Sequence, residues 1–172
     1  VERNLDDSQI GYEIEHSRSR SDGTIKFSDH DFNRTTARIQ LLSNDYQTDL
    51  FAGYQSKFFG QYGMYTGDLY TAYDPYETEY IKTALFIFNH RKSYNLGNHW
   101  EFTSYFRKNN DHYIFNRFNP NNDFVHETKV FSIASSGLFK LGENFSVHYS
   151  SQIAKDQIKS SALENGNFTD RT

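Results

Sequence analysis

Residues 46–58 decide the fold, and they read Tyr46-Gln47-Thr48-Asp49-Leu50-Phe51-Ala52-Gly53-Tyr54-Gln55-Ser56-Lys57-Phe58. Most of the alternate positions that begin at Tyr46 are apolar, and the positions between them are polar or glycine except for Phe51. Successive side chains of a β-strand point to opposite faces, so this alternation predicts a strand with one apolar and one wet face.

Six more stretches predict strands on the same grounds, at 8–18, 34–42, 80–93, 100–107, 127–141 and 145–155. Short connections join some of them through turn-forming residues, at 43–45, 95–98 and 142–144. The other connections are long and polar, at 19–33, 59–79 and 109–126 and from about 157 onward. Long alternating strands with tight turns at one end and long loops at the other predict an antiparallel transmembrane β-barrel, with short periplasmic turns and long extracellular loops.

The composition fits a barrel wall. The 172 residues include 16 Phe, 13 Tyr and one Trp, yet only 36% of the chain is hydrophobic and its mean hydropathy is −0.81. A wide barrel has one face in lipid and the other in water, so half of each strand is polar. We expect the aromatic girdles at the membrane boundaries to include Tyr46, Tyr54, Trp100 and Tyr149. Charged strand residues are expected at the lumen or the rim: Arg38, Lys57, Lys82 and Arg107.

Several functional classes are excluded by the residue counts. There is no cysteine, and therefore no disulfide, thiolate metal site or cysteine nucleophile. A net charge of −4 is unlike that of a nucleic-acid-binding protein. No apolar run is long enough for a transmembrane helix, and Val1-Glu2-Arg3-Asn4 does not begin a signal peptide. The seven histidines are scattered without catalytic or metal-binding spacing, so we expect no enzyme.

Two architectures remain open. Residues 1–172 would form a single segment of a barrel domain, because seven strands cannot close a bacterial barrel, which has an even number from eight upward. The expectation is an internal piece of a larger barrel that lacks the plug domain. The alternative is a soluble or surface-attached β-sandwich that binds carbohydrate through its tyrosines.

Certain segments resemble TonB-dependent outer-membrane receptors, and the likeness extends over most of residues 10–150. In order along the chain, these segments are Ser19-Arg20-Ser21-Asp22-Gly23 with Ser28-Asp29-His30-Asp31-Phe32, Phe59-Gly60-Gln61-Tyr62-Gly63-Met64-Tyr65, Tyr76-Glu77-Thr78-Glu79, and residues 100–113. Residues 59–65 are similar to the FGANxFY segment of that family. Residues 100–113 are similar to the strand and loop that follow in it. The nearest likeness is to vitamin B12 receptor-like members from Bacteroidetes.

The resemblance implies a 22-stranded barrel in the bacterial outer membrane that captures a scarce nutrient, such as cobalamin or another chelate, and imports it. It also implies three kinds of partner: outer-membrane lipid, the TonB energy-transducing complex acting through a plug, and a surface lipoprotein. This segment would supply early strands and some of the capturing loops.

Acidic residues in two neighbouring loops predict a calcium site. The predicted ligands are Asp22, Asp29, Asp31, Asp74 and Glu77, with Glu79 nearby. Calcium takes 6 to 8 oxygen ligands in flexible geometry, which carboxylates from two loops can supply. The Asp29-x-Asp31 spacing resembles that of the loop aspartates in cobalamin receptors. Solvated acidic loops are the alternative at this point.

Tyrosines of the second long loop predict the substrate-binding surface. They are Tyr62, Tyr65, Tyr70 and Tyr73, followed by Tyr76. Tyrosine gives rigid contact area with a polar tip, which suits a large ligand that is part apolar and part hydrogen-bonding. An interfacial girdle or packing within the loop is the alternative.

Overall fold

The computed structural model describes residues 2–5, 8–62, 76–121, 123–163 and 168–171. Within these ranges the chain forms one antiparallel sheet of nine strands whose spatial order is the chain order. The strands are β1 Glu2–Leu5, β2 Ser8–Ser21, β3 His30–Ser43, β4 Tyr46–Gly60, β5 Thr78–Ser93, β6 His99–Ile114, β7 Asp123–Lys140, β8 Ser146–Ser160 and β9 Phe168–Arg171, with a short 3₁₀ turn at Asn95–Gly97.

The prediction of an all-β, antiparallel chain with seven long strands is confirmed, because each of β2 to β8 overlaps one of the seven predicted stretches. Five strands run further toward the loops than predicted: β2 ends at Ser21, β3 begins at His30, β6 ends at Ile114, β7 begins at Asp123 and β8 ends at Ser160. Polar residues predominate in these extensions, and Asn and Asp favour turns when taken alone. Pairing with the neighbouring strand satisfies their backbone groups, as at Asn110 and Glu127, and the ladder therefore continues. The short strands β1 and β9 were not predicted.

Shorter and longer connections alternate along the sheet, as predicted, but the connections 22–29 and 115–122 are shorter than the loops predicted at 19–33 and 109–126. Residues 44–45, 94–98 and 141–145 are the short connections and define the tight-turn end. Two of these turns use a glycine in the left-handed region, Gly97 with φ 78° and Gly142 with φ 99°. Residues 22–29, 61–77, 115–122 and 161–167 link strands at the opposite end, here called the loop end.

The strand register places most of the apolar alternate positions on one face, here called the apolar face, although Phe51, Ile87 and Tyr105 pair in a row on the opposite face. A row of directly paired residues crosses seven strands on this face: Tyr12, Ile39, Leu50, Phe88, Ser104, Ile133 and Ile153. The next row toward the loop end is Ile14, Ala37, Ala52, Phe86, Phe106, Phe131 and Lys155. Ile14 is 75% exposed and Ile153 65% exposed, so nothing among the described residues covers this face.

The opposite face, here called the polar face, carries a hydrogen-bond network. Asp49 accepts hydrogen bonds from Arg38 (2.6 Å), Gln40 (3.0 Å) and Gln47 (2.6 Å). Further along the sheet, the Asn89 amide donates to Glu101 at 2.8 Å and to Thr103 at 3.0 Å. Side chains on this face are therefore bonded to one another rather than to a second layer.

The sheet is a single layer without a core of its own. No hydrophobic side chain in the described ranges is buried. Two sheets enclose the core of a β-sandwich, whereas the strands described here form one sheet. In these ranges β1 and β9 each pair on one side only, so the sheet is open.

Aromatic residues predicted as girdles lie on the apolar face near both of its margins. Tyr46, Trp100 and Tyr149 lie near the tight-turn end, where Trp100 donates a 2.8 Å hydrogen bond to Ser135. His90 lies between Tyr46 and Trp100, with ring centroids 6.1 and 6.0 Å away. Tyr54 lies further along β4, toward the loop end.

Candidate binding site at the loop end

The predicted site residues fall at the loop end of the sheet. Asp22 and Asp29 lie in the connection between β2 and β3, and Asp31 is the second residue of β3. Tyr62 and Glu77 lie on either side of residues 63–75 and belong to the connection between β4 and β5. The remaining predicted residues lie outside the described ranges: Tyr65, Tyr70, Tyr73 and Asp74.

Arg117 holds three connections together. Its Nη1 atom donates to Oδ1 of Asp29 at 2.8 Å, and its Nη2 atom donates to the carbonyl oxygen of Phe27 at 3.3 Å. The backbone N–H of Arg117 donates to the carbonyl oxygen of Tyr76 at 3.1 Å. The guanidinium also lies 5.4 Å from the Phe27 ring centroid and 5.7 Å from that of Phe58, within the range of cation–π attraction.

An aromatic cluster packs beside this arginine. The rings of Phe27, Tyr76 and Phe118 meet edge to face, with centroid separations of 4.8, 5.7 and 5.1 Å. Each ring comes from a different connection, so the contacts fix the three connections relative to one another. Phe27 has φ 69°, an uncommon backbone conformation for a bulky residue, and its surroundings hold it there.

Gly60 allows the β2–β3 connection to approach the end of β4. A Cβ atom at Gly60 would lie 1.8 Å from the carbonyl oxygen of Phe27 and 2.5 Å from the Arg117 guanidinium. The Gly60 N–H donates to the carbonyl oxygen of Asp29 at 2.8 Å, which continues the pairing beyond the strand. Any larger residue here would push the connection away.

A second, polar cluster is buried where the β4–β5 connection meets the sheet. Glu77 and Thr78 are fully buried, and Gln61 and Glu79 nearly so. The Gln61 N–H donates to the Glu77 carbonyl oxygen at 2.9 Å, and its side-chain amide donates to the Glu79 carboxylate. Both carboxylate oxygens of Glu77 are without a hydrogen-bond partner among the described residues, as are Oε1 of Gln61 and Oγ1 of Thr78.

Such orphaned oxygens are costly to bury unless a cation or donor meets them. Their chemistry suits a hard cation, since Glu77 alone supplies two carboxylate oxygens. Within the described ranges, no three carboxylate or imidazole groups converge closely enough to hold a metal ion.

The two aspartates of the Asp29-x-Asp31 motif engage different arginines. Arg18 donates to both carboxylate oxygens of Asp31, at 3.2 and 2.7 Å. The hydrogen bond from Arg18 lowers the pKa of Asp31 below its ordinary value. Asp29 pairs instead with Arg117. The calcium site stays a prediction, and on this geometry both aspartates would have to leave arginine partners to join it.

Sequence patterns did not single out Arg117 or Gln61. Arg117 is one basic residue within the polar segment Asn116-Arg117-Phe118-Asn119, and its partners are 88 and 90 positions away in the chain. Gln61 belongs to the segment 59–65, and the resemblance of that segment to the receptor family is a signal that could have pointed to it.

Comparisons with known proteins do not assign this chain to a family. No family model, no curated protein and no solved structure matches the chain. Among the described residues there is also no helix long and apolar enough to cross a membrane.

Proposed function

We propose that this chain forms part of the wall of a bacterial outer-membrane β-barrel, and that the whole protein is a receptor that captures a scarce nutrient and imports it. The observation that supports the barrel wall is the contrast between the two faces of one sheet. An exposed apolar face seven strands wide is unfavourable in water, whereas hydrocarbon would cover it. The bonded network around Asp49 and Asn89 suits a water-filled lumen.

The open edges support a larger closed sheet. Unpaired strand edges are tolerated in water but not in the hydrocarbon region, where every backbone group needs a partner. Further strands beyond β1 and β9 would supply those partners. The resemblance to TonB-dependent receptors suggests a total of 22 strands.

Nutrient capture would take place at the loop end. Its long connections, the aromatic cluster around Phe27 and the exposed Tyr62 offer contact area for a ligand such as cobalamin or another chelate. Calcium would serve as a structural cofactor with Glu77 as its central ligand. Energy for import would come from the TonB complex acting through a plug, and a surface lipoprotein is a further partner suggested by the resemblance.

Membrane fractionation of the full-length protein tests the barrel. We expect it to sediment with the outer membrane, to require detergent for extraction and to migrate differently on gels before and after boiling. A protein that is soluble and monomeric without detergent would instead favour the carbohydrate-binding β-sandwich.

Uptake and calcium are tested separately. Cells lacking the receptor should lose accumulation of radiolabelled cobalamin, and unchanged accumulation would exclude that substrate. For the cation, calorimetry should show weaker calcium binding for Glu77→Gln and for the double variant Asp29→Ala with Asp31→Ala. The matched control is Glu101→Gln, which lies on the polar face far from the loop end. Equal affinity in all three variants would remove calcium from the proposal.

A further inference from the structure

A cavity of about 240 Å³ lies on the polar face at the loop end and is here called the acidic-aromatic cavity. Two carboxylates, two aromatic rings and one imidazole line it: Glu79, Asp111, Tyr113, Phe124 and His126. On β5, β6 and β7 the register places these residues in the two rows of the polar face that are nearest the loop end. Paired strands rather than loops therefore form the lining, so the cavity is largely formed before any ligand arrives.

Asp111 brings negative charge to this cavity. Its Oδ1 atom is enclosed and has no hydrogen-bond partner among the described residues. Burying a carboxylate oxygen without a donor or a cation is unfavourable. Beside it in the lining, Glu79 is only 6% exposed, and its carboxylate accepts a hydrogen bond from the Gln61 amide. A cation in the cavity would offset the cost at Asp111.

The spacing of the two carboxylates favours an extended cation. Glu79 pairs with Tyr113 and Ile81 pairs with Asp111, so Glu79 and Asp111 are diagonal neighbours across β5 and β6. Diagonal neighbours on one face of an antiparallel pair are about 7–8 Å apart. A short alkyl chain with an ammonium group at each end matches such a pair.

The aromatic part of the lining favours an organic cation over a metal ion. Tyr113 and Phe124 are directly paired across β6 and β7, with ring centroids 6.3 Å apart and ring planes inclined by 24°. Ring faces attract ammonium groups, and an alkyl chain gains apolar contact with them. A hard metal ion takes oxygen ligands and would gain nothing from the two rings.

Two basic side chains in the register row of Asp111 have contacts directed away from it. Lys57 on β4 lies over the ring of Phe32 on β3, with Nζ 5.8 Å from the ring centroid. His126 is the direct partner of Asp111 on β7, but its Nδ1 atom is hydrogen-bonded to Oγ of Ser160 on β8 at 2.6 Å. The contact of Lys57 also shows that this face already holds an ammonium group against an aromatic ring.

We propose that the acidic-aromatic cavity binds a small diamine. One ammonium group would meet Asp111 and the other Glu79, and the alkyl chain would lie against the rings of Tyr113 and Phe124. The cavity of about 240 Å³ is smaller than the roughly 300–1,000 Å³ of pockets for drug-sized ligands, and so suits a short chain. The site is separate from the calcium proposed at Glu77. It rests on the proposed function only in that the polar face is taken as the wet side from which the ligand enters.

Calorimetric titration of the full-length protein tests the site, with linear diaminobutane and the equally long, uncharged butanediol as probes. Millimolar calcium is present throughout, so that carboxylates that bind calcium are occupied. We expect the diamine to bind at least tenfold more tightly than the diol, and its affinity to fall as salt is raised.

Variants assign the binding to the cavity. Asp111→Asn should lower the affinity for the diamine about tenfold, and Phe124→Leu about threefold through the lost cation–π attraction. The matched controls are Asp156→Asn on β8 and Phe51→Leu on β4, which make the same changes on the polar face farther from the loop end and should bind as the wild type does.

The contrary results are equally definite. Equal binding of the diamine and the diol by the unaltered protein, or binding of neither, overturns the inference and needs no variant to fold. Equal loss in Asp111→Asn and Asp156→Asn would attribute binding to net charge alone and also overturns it. Failure of the proposed function is distinguishable, because the protein would then fractionate as soluble, and the same titration can be made on that soluble form.

Discussion

Gly137 illustrates how a single residue position constrains the apolar face. It lies on β7 between Trp100 and Tyr149 in the register, and a Cβ atom there would lie 2.6 Å from Cε1 of Tyr149 and 2.8 Å from the carbonyl oxygen of His99. The tyrosine ring can move, but the backbone oxygen cannot move without disturbing the ladder. The glycine therefore lets the aromatic residues of the tight-turn margin lie side by side.

We predict that Gly137→Ala destabilises the protein by about 1–3 kcal/mol, the usual cost of overpacking. Equilibrium unfolding of the full-length protein in lipid vesicles measures it. Gly11→Ala is the control, because a Cβ atom at Gly11 meets nothing within 4 Å. Equal stability of the two variants would show that the close approach at Gly137 is relieved without cost.

Glu127 gives a pH dependence at the scale of one residue. Hydrogen bonds from Lys108 and then Lys129 lower the pKa of its carboxyl from about 4.5 to about 2. Since the folded-state pKa is the lower one, the stabilisation is complete above about pH 4.5 and is lost as the pH falls toward 2.

Acid unfolding should show this loss in the wild type, and Glu127→Gln should lack this component while being less stable at neutral pH. Glu143→Gln, in an exposed tight turn, is the control and should behave as the wild type. An unchanged acid profile in Glu127→Gln would contradict the assignment.

At the scale of elements, the strands were predictable because their signals are local. Alternation marked the faces of β4 and β8, and Asn, Asp and Gly marked the turns at 44–45 and 141–145. The polar extension of β6 through Asn110 was not predictable, since its partner on β7 decides it. The alternation also predicted which face most of the charged strand residues occupy, since Arg38, Lys57 and Arg107 lie on the polar face. Lys82 instead lies on the apolar face, nearer the loop end than the rows of Leu50 and Ala52.

The candidate site was less predictable than the strands. Acidic residues of the first loop were recognisable, but their partners Arg18 and Arg117 follow from strand register and from a loop almost 90 residues away. A sequence can indicate that Asp29 and Asp31 are close in the chain. It does not indicate that two arginines bind them separately.

Arg117 is the element-scale test, because it joins three connections. We predict that Arg117→Ala lowers stability by about 1–3 kcal/mol, since it leaves Asp29 without its ion pair and removes one of the two cations, Arg117 and Lys26, that lie over the Phe27 ring. Cleavage by added protease in the connections at the loop end should also become faster. Arg107→Ala, on the exposed part of β6, is the matched control. Equal cleavage rates for both variants would mean that the aromatic cluster holds the connections without the arginine.

At the scale of the whole molecule, the two faces explain a composition that is aromatic-rich and polar at once. Phe, Ile and Tyr predominate on the apolar face, while Asp49, Asn89 and their partners lie on the polar face together with a row of apolar side chains, Phe51, Ile87 and Tyr105. The low mean hydropathy of −0.81 is the average of these two faces and of the loops. Neither face has a second protein layer within the described ranges.

The most direct test is spin labelling along β3, in a chain that has no cysteine of its own. Single cysteines at positions 36, 37, 39, 40 and 41 would carry the label in the full-length protein reconstituted in lipid. Labels at Ala37, Ile39 and Leu41 should collide preferentially with oxygen, which concentrates in hydrocarbon. Labels at Thr36 and Gln40 should collide preferentially with a water-soluble nickel complex. Equal accessibility of the two sets, or the reverse order, would contradict a membrane-facing apolar face.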